Sequence, residues 1–150
     1  MQRSDAEAYL ATYKRGLLEN VVPFWMRHGL DEDHGGIITF LDRDGSILDT
    51  DKQMWQQGRF AWLMATLCNT VENKEEWQNA AGSALKFLRT HGFDDDGKMY
   101  YLCTQDGKPL RKRRYVFTEG FCALGHGAYA KASGDDAAAS MAVQCFEQYI

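Results

Sequence analysis

Apolar residues along this chain follow two rhythms. Leu10, Tyr13, Leu17, Val21 and Phe24 recur at helical spacing, as do Trp55, Phe60, Leu63, Met64 and Leu67. Trp77, Ala81, Ala84, Leu85 and Leu88 repeat the pattern, followed by Phe117, Phe121, Leu124 and Ala128, and then by Ala138, Met141, Val143 and Phe146. A period near 3.6 places apolar side chains on one helix face, so the spacing predicts five helices. Between the first and second, and again between the third and fourth, the rhythm shortens to β-type runs. Ile37-Ile38-Thr39-Phe40-Leu41 leads through Asp44-Gly45 to Ile47-Leu48, and Met99-Tyr100-Tyr101-Leu102-Cys103 leads through Asp106-Gly107 to Leu110. Each reads as a β-hairpin, because Asp and Gly tolerate the positive φ of a tight turn. Ser4 and Glu7 have capping-box spacing, Pro23 predicts a bend or stop, and Ser133-Gly134 followed by Asp135 predicts one helix end and the next helix cap.

The two halves of the pattern are copies of each other. His28-Gly29-Leu30-Asp31-Glu32-Asp33 returns as His91-Gly92-Phe93-Asp94-Asp95-Asp96, sixty-three residues later. The repeating unit is helix, helix, hairpin. Helices two and four are apolar or small on most sides, as befits inner helices, whereas one, three and five are amphipathic, as befits outer ones. Gly120, Gly125 and Gly127 cost helix propensity and make sense where inner helices approach closely. The expected fold is all-α, an (α/α) toroid with short β-hairpins between helix pairs.

Composition excludes several alternatives. With 45% hydrophobic and 13% aromatic residues and a net charge of −4, the chain is globular rather than disordered. An acidic balance gives no general reason to bind nucleic acid or an anionic membrane. No apolar run approaches the ~18–20 residues that span a bilayer, and the first residues have no signal-like apolar core. Cys68, Cys103, Cys122 and Cys145 stand far apart without a Cys-x-x-Cys pair, which suggests free thiols in a reducing cytoplasm.

Several blocks resemble the N-acylglucosamine 2-epimerase family, which includes the renin-binding proteins. They are Phe24-Trp25, Asp31 with Gly35-Gly36, Leu41-Asp42-Arg43-Asp44-Gly45, Asp49-Thr50-Asp51-Lys52 and Trp55-x-Gln57-Gly58-Arg59. Arg113-Arg114-Tyr115-Val116-Phe117-Thr118-Glu119-Gly120-Phe121 is similar to the family's second aromatic block. The resemblance implies an (α/α)6 barrel, of which residues 1–150 would be the N-terminal part, about two and a half of six units; six units come to ~375 residues.

It also implies a reaction. Opening the ring of a 2-acylamino sugar exposes an aldehyde and acidifies the C2 proton. A base removes that proton to give an enediolate, and an acid returns one to the opposite face, interconverting N-acetylglucosamine and N-acetylmannosamine. The family places the two proton-transfer histidines on later helices. Arg59 is the candidate catalytic residue: a permanently charged guanidinium on an inner helix can hold an oxygen that gains negative charge. The alternative is a structural pair with Glu119. Trp55, four residues earlier on the same face, is a candidate wall for the sugar ring. Phe117, where relatives often carry Tyr, and Glu119 complete the candidate substrate-binding set, with Gln57 and Lys52 as weaker members.

No metal site is expected. The acidic loop 31–36 lacks the EF-hand ligand pattern, since its twelfth position is Asp42. His28 and His91 occupy equivalent positions at helix ends, and neither they nor His34 and His126 read as the epimerising base. No cofactor is required; the basic run 111–114 leaves room for a nucleotide effector. A neutral sugar substrate and a cytoplasmic location are expected, a homodimer is compatible with the sequence without being specified by it, and the 150 residues alone are expected to be inactive. Related aldose–ketose isomerase or cellobiose 2-epimerase activity, or a non-catalytic helical scaffold, are the competing readings.

Overall fold

The computed structural model describes residues 3–112 and 116–150. The basic-run residues Arg113 and Arg114, with Tyr115, lie outside the described residues. The first outer helix is composite: α1 (Arg3–Arg15), a π-helical stretch (Gly16–Val21) and α2 (Val22–His28). Pro23 therefore does not stop the helix. It sits in the first turn of α2, where its missing N–H matters least, and the wider π turn before it relieves the clash of its ring with the carbonyl four residues back. Ser4 lies inside α1 rather than before it.

The inner helices are α3 (Met54–Thr70) and α5 (Phe117–Ser133), and the outer ones are α4 (Glu75–His91) and α6 (Asp136–Tyr149). The helix stop and cap predicted at residues 133–135 are both present. Gly134 adopts φ +75°, and the Asp135 carboxylate accepts the Ala137 and Ala138 N–H groups. Helices α3 and α5 pack backbone to backbone. A Cβ on Gly58 would lie 2.7 Å from the Phe121 carbonyl, and one on Gly125 would lie 2.8 Å from the Gly58 oxygen. Helix α4 covers both, burying Ala81, Ala84, Leu85 and Leu88 completely. Each buried leucine contributes roughly 2 kcal/mol of apolar transfer.

Leu10 and Tyr13 depart from their pattern: they are exposed. The contacts of α1 are chiefly with the π-helical stretch that continues it.

The hairpins are β1 (Phe40–Leu41) with β2 (Ile47–Asp49), and β4 (Tyr100–Cys103) with β5 (Pro109–Lys112). Their turn glycines, Gly45 and Gly107, both have φ +90° and lie under the imidazoles of His28 and His91. The two histidines are thus equivalent packing elements, each also stacked on a phenylalanine four residues before it. A strand too short to show a period, β3 (Lys52–Gln53), pairs antiparallel with β4 and ties the hairpins together.

The acidic loop is also architectural. Asp31 accepts the N–H groups of Asp33 and His34, the Lys52 ammonium at 2.7 Å and the Gln105 amide at 3.0 Å. Burial would raise its pKa, but the Lys52 and Gln105 hydrogen bonds outweigh burial and hold its carboxyl below the usual value. Lys52 is fully buried, also bonds the Gly35 carbonyl, and lies 4.2 Å above the Phe87 ring. Gln105 carries this cluster from the first hairpin region to the second.

Candidate active site

The side of the α3–α5 pair not covered by α4 presents one continuous stripe. Trp55, Arg59 and Trp62 come from α3, and Phe117, Phe121 and Leu124 from α5. The stripe follows from helical spacing, since residues at i, i+4 and i+7 point the same way.

Trp55 is held at the start of α3. Its indole Nε1–H donates to Gln53 Oε1 at 2.8 Å, and that oxygen also accepts the Gln56 amide. The Trp55 ring lies 5.5 Å from Phe117 and 5.7 Å from Phe121, which meet each other edge to face at 5.1 Å. Together they form an aromatic triangle bridging the two inner helices, and 56% of Phe117 remains exposed. Arg59 is exposed, with its guanidinium carbon 5.9 Å from the Trp55 ring centroid. Among the described residues no carboxylate pairs with it, so the structural pairing with Glu119 is not formed. An unpaired guanidinium beside an aromatic wall can bind a ring whose oxygen becomes negative.

Glu119 does not join this stripe. It is 4% exposed, and its Oε1 accepts the Met99 N–H at 2.8 Å. Its counterpart in the first repeat is Gln57, fully buried, which accepts the Ile37 N–H at 2.8 Å and donates to the Ile37 carbonyl at 2.7 Å. Both side chains therefore latch a hairpin entry to an inner helix. The structure brings Trp55, Arg59 and Phe117 together and sets Glu119, Gln57 and Lys52 behind them as scaffold. None of the four histidines reaches the stripe. His28 and His91 cover turn glycines, and the exposed His34 lies 3.5 Å from Asp31. His126 is fully buried, with Nδ1 2.9 Å from the Cys122 carbonyl, and burial lowers its pKa to about 4.

Trp62 was missed by sequence reasoning, although its place seven residues after Trp55 is the signal that finds it. A groove of about 740 Å³ runs along Phe121, Leu124 and Phe146, and a second of about 370 Å³ along Trp25, Arg59 and Leu63; Trp62 borders both.

Helix pairs joined by hairpins, with an open aromatic and cationic stripe on the inner helices, define a sector of an α/α barrel. Comparison with known proteins bears this out at the level of family and fold. Residues 35–149 match the N-acylglucosamine 2-epimerase (GlcNAc 2-epimerase) family, and the chain belongs to it. Rat N-acylglucosamine 2-epimerase is 34% identical over 137 residues, covering 89% of this chain and 33% of that protein. The cellobiose 2-epimerase of Bacteroides fragilis is 24% identical over 135 residues, covering 89% of this chain and 34% of that protein. The structure of cellobiose 2-epimerase from Spirochaeta thermophila superposes with a TM-score of 0.86 at 23% identity, over 97% of this chain and 36% of that one. The fold is thus the α/α barrel type, and the chain spans about a third of the length of the relatives it matches.

Proposed function

We propose that this segment, within a polypeptide of its relatives' length, forms one sector of the lumen of a sugar 2-epimerase acting on N-acetylglucosamine and N-acetylmannosamine. The observation that carries the reading is Arg59: an exposed guanidinium without a carboxylate partner among the described residues, set against the Trp55 ring on an inner helix. With the sugar ring open, C2 deprotonation shifts negative charge onto the aldehyde oxygen. A fixed cation facing that oxygen is worth more in the enediolate than in the ground state. Trp55 and Phe117 supply apolar surface against the C–H face of the sugar. The stripe offers no base, so the two proton-transfer groups belong to the remaining repeats, and the 150 residues alone are inactive. Detectable turnover by the isolated chain would overturn that statement. Among the described residues no helix is long and apolar enough to cross a membrane; the four free cysteines, as thiols of a reducing compartment, are the ground on which we assign the enzyme to the cytoplasm.

Replacing Arg59 by Ala in the protein of full length tests the reading. The expected result is a fall of about 10²–10³-fold in kcat, measured with N-acetylmannosamine alongside mannose and cellobiose to fix the substrate class. An unchanged rate removes Arg59 from the mechanism.

A further inference from the structure

We infer that Trp62 is a substrate-binding residue, the deeper of two tryptophans that flank Arg59 along the lumen. The inference rests on the sugar-epimerase reading above.

Trp62 stands out on its own helix. Its neighbours Ala61, Met64 and Ala65 are fully buried, whereas 40% of Trp62 is exposed. A large apolar ring left open on an inner helix calls for an explanation that an isolated exposed leucine does not. Each of the other three tryptophans has a ring or cation partner: Trp25 meets Phe24, Trp55 meets Phe117, and Trp77 lies under Lys74. Among the described residues Trp62 has none, and its indole N–H has no acceptor.

The repeat shows that another inner helix is not what covers this face. Trp62 corresponds to Leu124 on α5, just as Trp55 corresponds to Phe117 and Gln57 to Glu119. Helix α5 is in place beside α3, yet Trp62 remains open, and Leu124 is open as well, at 51%. The positions that inner helices do cover are Gly58 and Ala61, on a neighbouring face. The Trp62 position belongs to the side that the repeat leaves free.

Its depth fits a sugar. Trp62 lies two helical turns beyond Trp55, ~10 Å along the axis, with Arg59 between them. An indole at that level presents an apolar face to the C–H side of the ring and a free N–H to a hydroxyl. Trp55 with Phe117 then forms the outer wall, Arg59 holds the oxygen that gains charge, and Trp62 forms the floor.

The test uses the full-length enzyme with Trp62→Phe, Trp62→Leu and Arg59→Ala, each checked by circular dichroism and thermal midpoint against the parent. Trp62→Leu is expected to raise KM for N-acetylmannosamine about tenfold, the loss of roughly one good contact, with kcat within about twofold. Trp62→Phe keeps a ring but no donor, so its KM falls between, and the sugar-induced change in tryptophan fluorescence shrinks. If both folded Trp62 variants keep the parent's KM and fluorescence response while Arg59→Ala is inactive, the Trp62 assignment is wrong and the site reading stands. If Arg59→Ala is also fully active, the sugar reading falls and takes this inference with it.

Discussion

Gln57 and Glu119 do the same mechanical work with different chemistry, and exchanging that chemistry should move stability in opposite directions. Gln57 both accepts from and donates to Ile37, so its amide is satisfied at each end. Glu119 accepts the Met99 N–H with Oε1, but its Oε2 is buried without a hydrogen-bond partner. A carboxylate oxygen has no hydrogen to offer the neighbouring carbonyl, where an amide does. Glu119→Gln supplies that donor at the equivalent place and removes an orphaned buried acceptor. A net hydrogen bond is worth about 1 kcal/mol, so this variant should be more stable by ~1 kcal/mol. Gln57→Glu does the reverse. It strips the donor from Ile37 and places a carboxylate in a fully buried site, at a cost of ~2–4 kcal/mol. Urea unfolding of the 150-residue chain at pH 7, followed by helical circular dichroism, reads both effects as shifts in midpoint at constant slope. Destabilisation by Glu119→Gln, or indifference to Gln57→Glu, would refute the idea that the two are equivalent latches.

Three further perturbations follow from the packing. His126 has a folded pKa of about 4 because burial disfavours its charge, against about 6.5 when unfolded. Between those values the unfolded chain binds the proton and the folded chain does not. Stability is therefore complete above about pH 6.5 and falls as pH drops towards 4, by ~3 kcal/mol at about 1.4 kcal/mol per pH unit. His126→Met, which copies Met64 of the first repeat, should flatten that part of a pH series of urea midpoints; an unchanged slope would assign the titration elsewhere. Gly58→Ala drives a methyl into the Phe121 backbone, which cannot turn aside, and should cost ~1–3 kcal/mol in the same assay. Gly16→Ala meets nothing within 4 Å and should be neutral or stabilising.

Most of the architecture was legible because the chain writes it twice. One copy of an Asp-Gly turn between β-type runs is a weak signal, whereas two copies, each preceded by a His-Gly at a distance that differs by one residue, identify a repeat. The illegible parts are those without a period. Lys52 and Gln53 make a two-residue strand whose partner lies fifty residues away, and local pattern carries no trace of that pairing. Pro23 reads as a bend or stop because local rules weigh its missing N–H; the π turn that carries the helix past it depends on backbone registry, which residue types alone do not specify.

The site divides along the same line, and the division shows how repeats carry chemistry. At a position that must do the same job in both units, the side chains stay alike, as Gln57 and Glu119 do, or His28 and His91. At positions on the open side the units diverge: Trp55 against Phe117, Arg59 against Phe121, and Trp62 against Leu124. Sequence reasoning grouped Glu119 with Arg59 because a carboxylate and a guanidinium on adjacent inner helices invite pairing. Depth, which places one in the wall and the other in the opening, is a three-dimensional fact. Comparing units position by position recovers part of it from sequence alone, since a latch resembles its copy and a lumen residue need not. By that criterion Glu119 reads as a latch and Trp62 as a residue of the open side, in line with the burial of the one and the exposure of the other. The two units keep their scaffold periodic while each inner helix turns different side chains to the open side.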